Sequence, residues 1–310
     1  MALVRSEGIV LKTHALGDTS RIVVAYTRDH GLVKLVAKGA RKTPSRFGVA
    51  LEPLSRARFH FYLKPDRDLH LLSQTDTIDP TGVKITHLIR LAHAQAAVEL
   101  LDRLVWGEEP HAELYDLLAA TLDAVVAAPS GALPAITIAF ELQVASLMGY
   151  RPRLDACANC GSPLARERLF SAARGGLMCP NCAAREPGLT RLSADALAGL
   201  ALLLSRPVSE AGEFVEMKRS GEILAVVDQF LRHHFQRFQG LRSLEVLRAL
   251  PEDEENTCRS RSAGSRRRPV RASAPPSARR RRRRNARPAR FDRARARRNR
   301  SSIPSDPCRR

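Results

Sequence analysis

Over the first 80 residues, apolar and polar positions alternate in short runs separated by turn residues. The runs cover about 3–12, 21–28, 31–38, 55–63 and 69–76. Gly17-Asp18, Asp29-His30-Gly31, Thr43-Pro44-Ser45 and Lys64-Pro65-Asp66-Arg67-Asp68 interrupt them. A period of two in Val-, Ile-, Leu- and aromatic-rich runs predicts half-buried strands. Five such strands, closely spaced, predict a small closed sheet of the oligonucleotide-binding type, although an SH3-like barrel fits almost as well. The alternation also assigns faces. Val33, Leu35 and Ala37, with Ala57, Phe59, Phe61 and Leu63, are expected to fill the barrel. Lys34, Val36 and Lys38, with Arg56, Arg58, His60 and Tyr62, are expected to face outward.

From Lys84 the period changes to three and four. Ile85, Leu88, Leu91, Ala92, Ala96, Leu100, Leu101, Leu104 and Val105 predict one amphipathic helix, broken by Gly107-Glu108-Glu109-Pro110. Helices are expected next over 111–127 and 134–148, the latter carrying Ile138, Leu142, Ala145 and Leu147. Later ones are expected over 194–204 with Ser193 as its cap, over 220–237, and over 241–250 with Leu250 in its stripe. The fold class is therefore α+β: a five-stranded barrel domain over 1–80 and an α-helical domain over 81–250. Beyond Glu255 periodicity ceases, and 256–310 reads as a disordered Arg-rich tail.

Between the third helix and the fourth lie Cys157, Cys160, Cys179 and Cys182, two C-x-x-C pairs separated by 18 residues. Each pair offers two thiolates to one ion, and four thiolates leave no position for water, which favours one structural zinc ion in a closed knuckle at 157–182. A disulfide or redox dithiol, or unliganded thiols, are the alternatives. Gly161 suits the turn that aims N–H groups at sulfur, and Pro180 shapes the second turn. Phe170 and Leu177 are expected to pack back on the helices. Cys258 and Cys308 have no matching pair and are left out of the site.

Charge changes the picture once it is located. The whole chain of 310 residues carries +19, yet 256–310 holds 21 arginines against two acids, so residues 1–255 are neutral. Within that body, 1–80 carries 13 bases and 8 acids, whereas 81–255 carries 17 and 22. The barrel is basic and the helical part acidic. Candidate nucleic-acid contacts are Arg5, Arg21, Lys34, Lys38, Arg41, Lys42, Arg46, Arg56 and Arg58, with Tyr62 offering a ring for base stacking. The tail's six consecutive arginines, Arg279 to Arg284, would attract any polyanion. An abrupt Arg/Ser/Pro composition is equally what a frame-shifted reading of G+C-rich DNA yields, and both readings stand.

Chemistry is not indicated. Phosphate-cradling loops, G-x-S-x-G and H-E-x-x-H are absent from the sequence, and His233-His234 cannot share one helix face. Asp18 and Glu7 have no partner that sequence identifies. The first residues read as neither signal nor transit peptide, so a soluble cytoplasmic protein is expected. A binding protein that is not an enzyme is the reading. Its alternative is a zinc-stapled interaction scaffold whose basic barrel holds an acidic protein.

The segment from Gly8 to Lys42, followed by Ser45-Arg-Phe-Gly48 and Leu51-Glu-Pro-Leu54, resembles the N-terminal part of the bacterial RecO family. Phe140 to Tyr150 leading into Cys157-Ala-Asn-Cys-Gly161, Phe170 to Cys182, and Leu241 to Arg248 are similar to that family's later motifs. The resemblance covers about residues 1–250, and the tail departs from it. It implies an OB-fold followed by a helical domain with a zinc knuckle. It implies binding of single- and double-stranded DNA and annealing of complementary strands, including strands coated by single-strand-binding protein, whose acidic C-terminal tail is an expected partner. RecR-type and RecF-type proteins are the further partners implied, with recombinase loading on gapped DNA as the outcome.

Overall fold

The computed structural model describes residues 2–64, 67–105, 107, 109–164, 166–213 and 219–248. The expected tail at 256–310, with Cys258 and Cys308, lies outside the described residues, as does Leu250. Five strands close a barrel in the order β1-β2-β3-β5-β4: β1 (Ala2–Leu16), β2 (Ser20–Thr27), β3 (Gly31–Ala37), β4 (Arg56–Leu63) and β5 (His70–Asp79). β1 pairs with β4 through its first half and with β2 through its second, bending at an irregularity between Val10 and Lys12. Gly8 faces Thr27 on one side and Ala57 on the other. A Cβ there would stand 2.9 Å from Thr27 Cγ2 and 3.0 Å from the Phe59 ring, so closure at this point requires glycine. β3 and β5 pair in parallel and complete the circuit. This is an OB-fold, and the SH3-like alternative falls.

The inward set follows the alternation. Val33, Leu35, Ala37, Ala57, Phe59 and Phe61 are fully buried, and Leu63 is half-buried against the same core. Lys34 and Lys38 are exposed, and Arg56, Arg58, His60 and Tyr62 are half-buried on the outer face.

Next come α1 (Thr81–Lys84), α2 (Leu88–Leu104), α3 (Ala112–Ala127) and α4 (Leu133–Leu147). The expected single helix from Lys84 is corrected here. Ile85 and His87 are extended, so the long helix begins at Leu88, and Ile85 is buried as part of the connection. Leu147, expected in an apolar stripe, is 41 % exposed at the end of α4. α4 is packed by α2, α3, α6 and α7 and is buried on several sides rather than one. The segment Ser130–Leu147 is long and apolar enough to cross a membrane by length and composition, yet most of it is buried in the protein. Within this core His93 of α2 and Thr137 of α4 share a 2.7 Å hydrogen bond, and burial pushes the imidazole down to about 4, so it is neutral.

After α4 the chain makes an excursion through β6 (Leu169–Ser171), β7 (Gly176–Leu177), α5 (Pro180–Ala183) and β8 (Thr190–Arg191), a small sheet in the order β7-β6-β8. It returns as α6 (Ala194–Ser205), α7 (Ser220–His234) and α8 (Arg242–Arg248). Phe170 and Leu177 are buried in the helical core, with Phe170 edge-on to Phe230 at 6.4 Å.

Ser193 caps α6 as expected. Its Oγ accepts the Ala196 N–H at 3.1 Å and donates to Glu222 Oε2 at 2.8 Å, while its N–H donates to Glu222 Oε1 at 2.6 Å. Ser193→Ala is expected to lower stability by about 1–2 kcal/mol, which a denaturant titration against the unaltered chain would read. A loss under about 0.3 kcal/mol would mean that the Ser193 backbone N–H and Glu222 suffice.

The barrel and the helices share a seam. Ile9, Leu11, Tyr26 and Leu54 belong to the same continuous apolar cluster as α2, α3 and α4. Tyr26 Oη donates to the His111 carbonyl at 3.3 Å, and burial pushes its pKa up to about 12. Three ion pairs flank the seam, each with its base on the barrel and its acid on a helix: Lys12–Asp102 at 2.6 Å, Arg28–Asp116 at 2.8 Å and Arg56–Asp123 at 3.6 Å. Such partly exposed pairs contribute about 0–1 kcal/mol each, so apolar burial holds the seam and the charges orient it.

Candidate metal centre and nucleic-acid interface

The excursion brings Cys157, Cys160, Cys179 and Cys182 together with all four sulfurs within 4.8 Å of one another. The first pair sits on a turn closed by Gly161 N–H donating to the Cys157 carbonyl at 2.9 Å, with Gly161 at φ +73°. That left-handed value explains the glycine. The second pair straddles α5, with Pro180 in its first turn, where a missing N–H costs nothing.

Donors surround the sulfurs. Cys179 N–H donates to Cys157 Sγ at 3.3 Å, Asn159 Nδ2 donates to Cys182 Sγ at 3.3 Å, and Cys160 Sγ lies 3.1 Å from Ser162 Oγ. Burial raises the Cys157 thiol, but backbone N–H groups of Cys179, Cys160 and Asn159 outweigh it and hold the group down at about 6. Ser162 likewise lowers Cys160. At Cys182 the Asn159 amide pulls down, yet the neighbouring Cys160 and Cys179 sulfurs prevail and push it up to about 11. One sulfur ionises readily and the next resists, as like charges at close range must. A cation at the centre removes that conflict. Sulfurs around a tetrahedral ion with bonds of about 2.3 Å are about 3.8 Å apart, and Cys160 Sγ and Cys179 Sγ stand at 3.8 Å. The residues fit a metal ion. Convergence of all four, rather than of one pair, argues against a lone redox dithiol.

On the barrel, one part of the outer surface is covered by α2 and α3, and another is open among the described residues. Across the open part, Leu3, Tyr62, Leu71 and Val36 oppose one another in successive strands β1, β4, β5 and β3. Directly opposed residues share a face, so they form an apolar row with one aromatic ring. Tyr62 is half-buried in this row rather than exposed, and Leu3 is 57 % exposed. Arg5 lies two residues from Leu3, and Lys34 and Lys38 flank Val36, all three exposed. Lys38 also joins Lys64 and Arg67 around a recess of about 590 Å³. Lys64 and Arg67 escaped the sequence reading because their segment read only as a turn interspersed with acids.

The other candidates are distributed differently. Arg21, Arg41 and Lys42 surround a second recess of about 290 Å³ beside the β1–β2 turn. There Arg41 Nη1 donates to the Gly17 carbonyl at 2.7 Å, and Arg21 pairs with Glu52 at 2.9 Å. Arg46 lies over the Phe47 ring at 4.5 Å. Arg56 pairs with Asp123 of α3, and Arg58 pairs with Glu7 at 2.8 Å. Those last two serve the seam and its margin rather than the open row. Glu7 thereby has the partner that sequence could not name. His234 is packed among Tyr150 and Phe230, with ring centroids at 5.1 and 4.5 Å, as a core-margin residue.

Comparison with known proteins places this geometry in a lineage. The family model described as Recombination protein O N terminal matches residues 1–81, and that described as Recombination protein O C terminal matches residues 85–245. The chain is 38 % identical to the DNA repair protein RecO of Streptomyces griseus subsp. griseus, over 80 % of this chain and 99 % of the relative. It is 36 % identical to that of Anaeromyxobacter dehalogenans strain 2CP-C, over 76 % and 93 %. It is 32 % identical to that of Pelotomaculum thermopropionicum, over 76 % and 91 %.

Proposed function

The chain belongs to the RecO family, and from that premise we propose that it is a DNA repair protein that anneals complementary strands without catalysing any covalent step. The observation that carries this reading is the open apolar row Leu3–Tyr62–Leu71–Val36, bordered by Arg5, Lys34 and Lys38. Single-stranded nucleic acid is held by a ring for stacking and cations for the backbone, with each stacked base contributing about 1–3 kcal/mol. Annealing needs two like-charged backbones to approach while base edges stay free. Cations beside a shallow apolar row offset phosphate repulsion without covering those edges.

Among the nine candidates, Arg5, Lys34 and Lys38 carry strand contact on the open row, with Arg41 and Lys42 extending it at the β1–β2 turn. Arg21 and Arg46 lie nearby, and Arg56 and Arg58 contribute through the seam. Cys157, Cys160, Cys179 and Cys182 hold one zinc ion, which supplies charge compensation and a fixed geometry to the knuckle. The domains are 1–80 for strand binding and 81–250 for the helical body. A recess of about 510 Å³ between the knuckle and α6 is lined by Leu164, Leu177 and Leu197, with Arg166 and Arg168 beside Asp155 and Glu167, and its apolar surface with two arginines suits an acidic amphipathic peptide. It supports a single-strand-binding protein's tail as partner. RecR-type and RecF-type proteins, recombinase loading on gapped DNA and a cytoplasmic, nucleoid-associated location complete the reading.

The test is charge reversal. Lys34→Glu, Lys38→Glu and Arg41→Glu together are expected to weaken single-strand binding at least tenfold and to lower the log–log salt slope by about 2. Annealing should slow in step. The comparison is run in the full chain and in residues 1–255, so that any contribution of the arginine run is separated. Unchanged annealing and salt slope in the triple variant of residues 1–255 would refute the reading.

A further inference from the structure

Helix α4 carries one ionisable side chain that its surroundings do not explain. Glu141 is 4 % exposed, and its Oε2 has no hydrogen-bond partner among the described residues. Buried polar groups are almost always paired, because an unpaired one keeps its full desolvation cost. Glu141 lines a recess of about 230 Å³ bounded by α4, α7 and α8. Leu224, Leu241 and Leu244 form its apolar wall, and Asp228 and Glu245 add two more carboxylates. Among the described lining residues Arg232 is the one base, and it is already engaged by Asp228 at 2.6 Å.

The wall is held in place from below. Glu99 of α2 accepts the N–H groups of Arg242 and Ser243, each at 3.0 Å, and the Ser243 hydroxyl at 2.7 Å, which fixes the start of α8. The recess falls below the roughly 300–1,000 Å³ of small-molecule pockets, so it has room for one side chain rather than a nucleotide. A recess that sets an apolar wall beside carboxyl groups complements an aliphatic stem with a cationic tip.

We infer that this recess receives a single lysine or arginine side chain from a protein partner, with Glu141 as its counter-ion. The inference goes beyond strand binding by the barrel and does not depend on it. Its test uses the full chain carrying ¹³C-labelled leucine methyls. Nα-acetyl-arginine methylamide, its lysine counterpart and the neutral citrulline counterpart are titrated in separately. The arginine and lysine compounds are expected to shift the methyls of Leu224 and Leu244, the citrulline compound is not, and Glu141→Gln is expected to weaken binding at least tenfold. Equal shifts with citrulline, or unchanged affinity in Glu141→Gln, overturn the inference. If Glu141→Gln loses the native leucine spectrum, Asp228→Asn decides: weakened cation binding supports the inference and unchanged binding overturns it.

Discussion

Chelation of the protein under reducing conditions, or Cys179→Ser, is expected to release the segment between Arg153 and Arg191 while the barrel stays folded. The segment has little of its own to hold it. Its strands are two or three residues long, and beyond Phe170 and Leu177 its apolar interior amounts to Cys157, Met178 and Cys179 with a few half-buried neighbours. Structural zinc binding is worth about 10–16 kcal/mol of apparent free energy in small domains, far more than such a cluster supplies. The amides that report the loss are Leu177, Ala158 and Cys179, whose partners are the Arg153 carbonyl, the Leu177 carbonyl and Cys157 Sγ. Hydrogen exchange should show them protected in the metal-bound protein and exchanging freely after chelation, with one equivalent of zinc released per chain. Because every sulfur must give up its proton to the metal, affinity should fall as pH drops. Protection that survives complete chelation would assign the segment's order to Phe170 and Leu177 instead. Since the barrel closes through Gly8 and its own core, strand affinity should change by less than about twofold, well under the 1.4 kcal/mol that a tenfold change represents.

The contrast between the two halves of the protein explains what the sequence reveals. A half-buried strand writes its two faces as alternate letters, so Arg56 to Leu63 declares Ala57, Phe59 and Phe61 as interior without any tertiary knowledge. Four thiols at matched spacing are equally explicit, because few other arrangements need them. Alternation cannot say which part of the outside a second domain will cover. Arg56 and Arg58 therefore read like Lys34 and Lys38, although the first pair faces Asp123 and Glu7 and the second is exposed. Some of the barrel's excess charge is used inside the protein, against helical acids, before any partner arrives. The true start of helix α2 is hidden in the sequence for a related reason. Ile85 keeps the helical period by coincidence while serving as a buried link, and the His87 side chain makes no capping hydrogen bond. Glu141 was invisible because a glutamate in a helix ordinarily marks the solvent side. Only the packing of α7 and α8 over α4 puts it inside.

Glu141→Gln is expected to stabilise the protein at alkaline pH and to do almost nothing at pH 4. Burial first, and the Asp228 charge second, push the Glu141 carboxyl from 4.5 up to about 8. Below pH 4.5 the group is protonated in both the folded and unfolded chain, and it has no influence on the balance. Between 4.5 and 8 the unfolded chain gives up the proton and the folded chain keeps it, so stability falls with rising pH by about 1.4 kcal/mol per unit. Near pH 8 the accumulated loss is about 4 kcal/mol, and above it the slope vanishes. Glutamine has no such titration. Urea midpoints of the two proteins across pH 4 to 9 should therefore separate steadily, with titrations common to both cancelling in the difference. A difference that stays constant with pH would mean that the folded protein already holds Glu141 ionised. The same curves bear on the recess, because a cation seated against Glu141 favours the carboxylate in the folded state. Saturating Nα-acetyl-arginine methylamide should flatten the pH dependence of the unaltered chain and leave that of Glu141→Gln where it was.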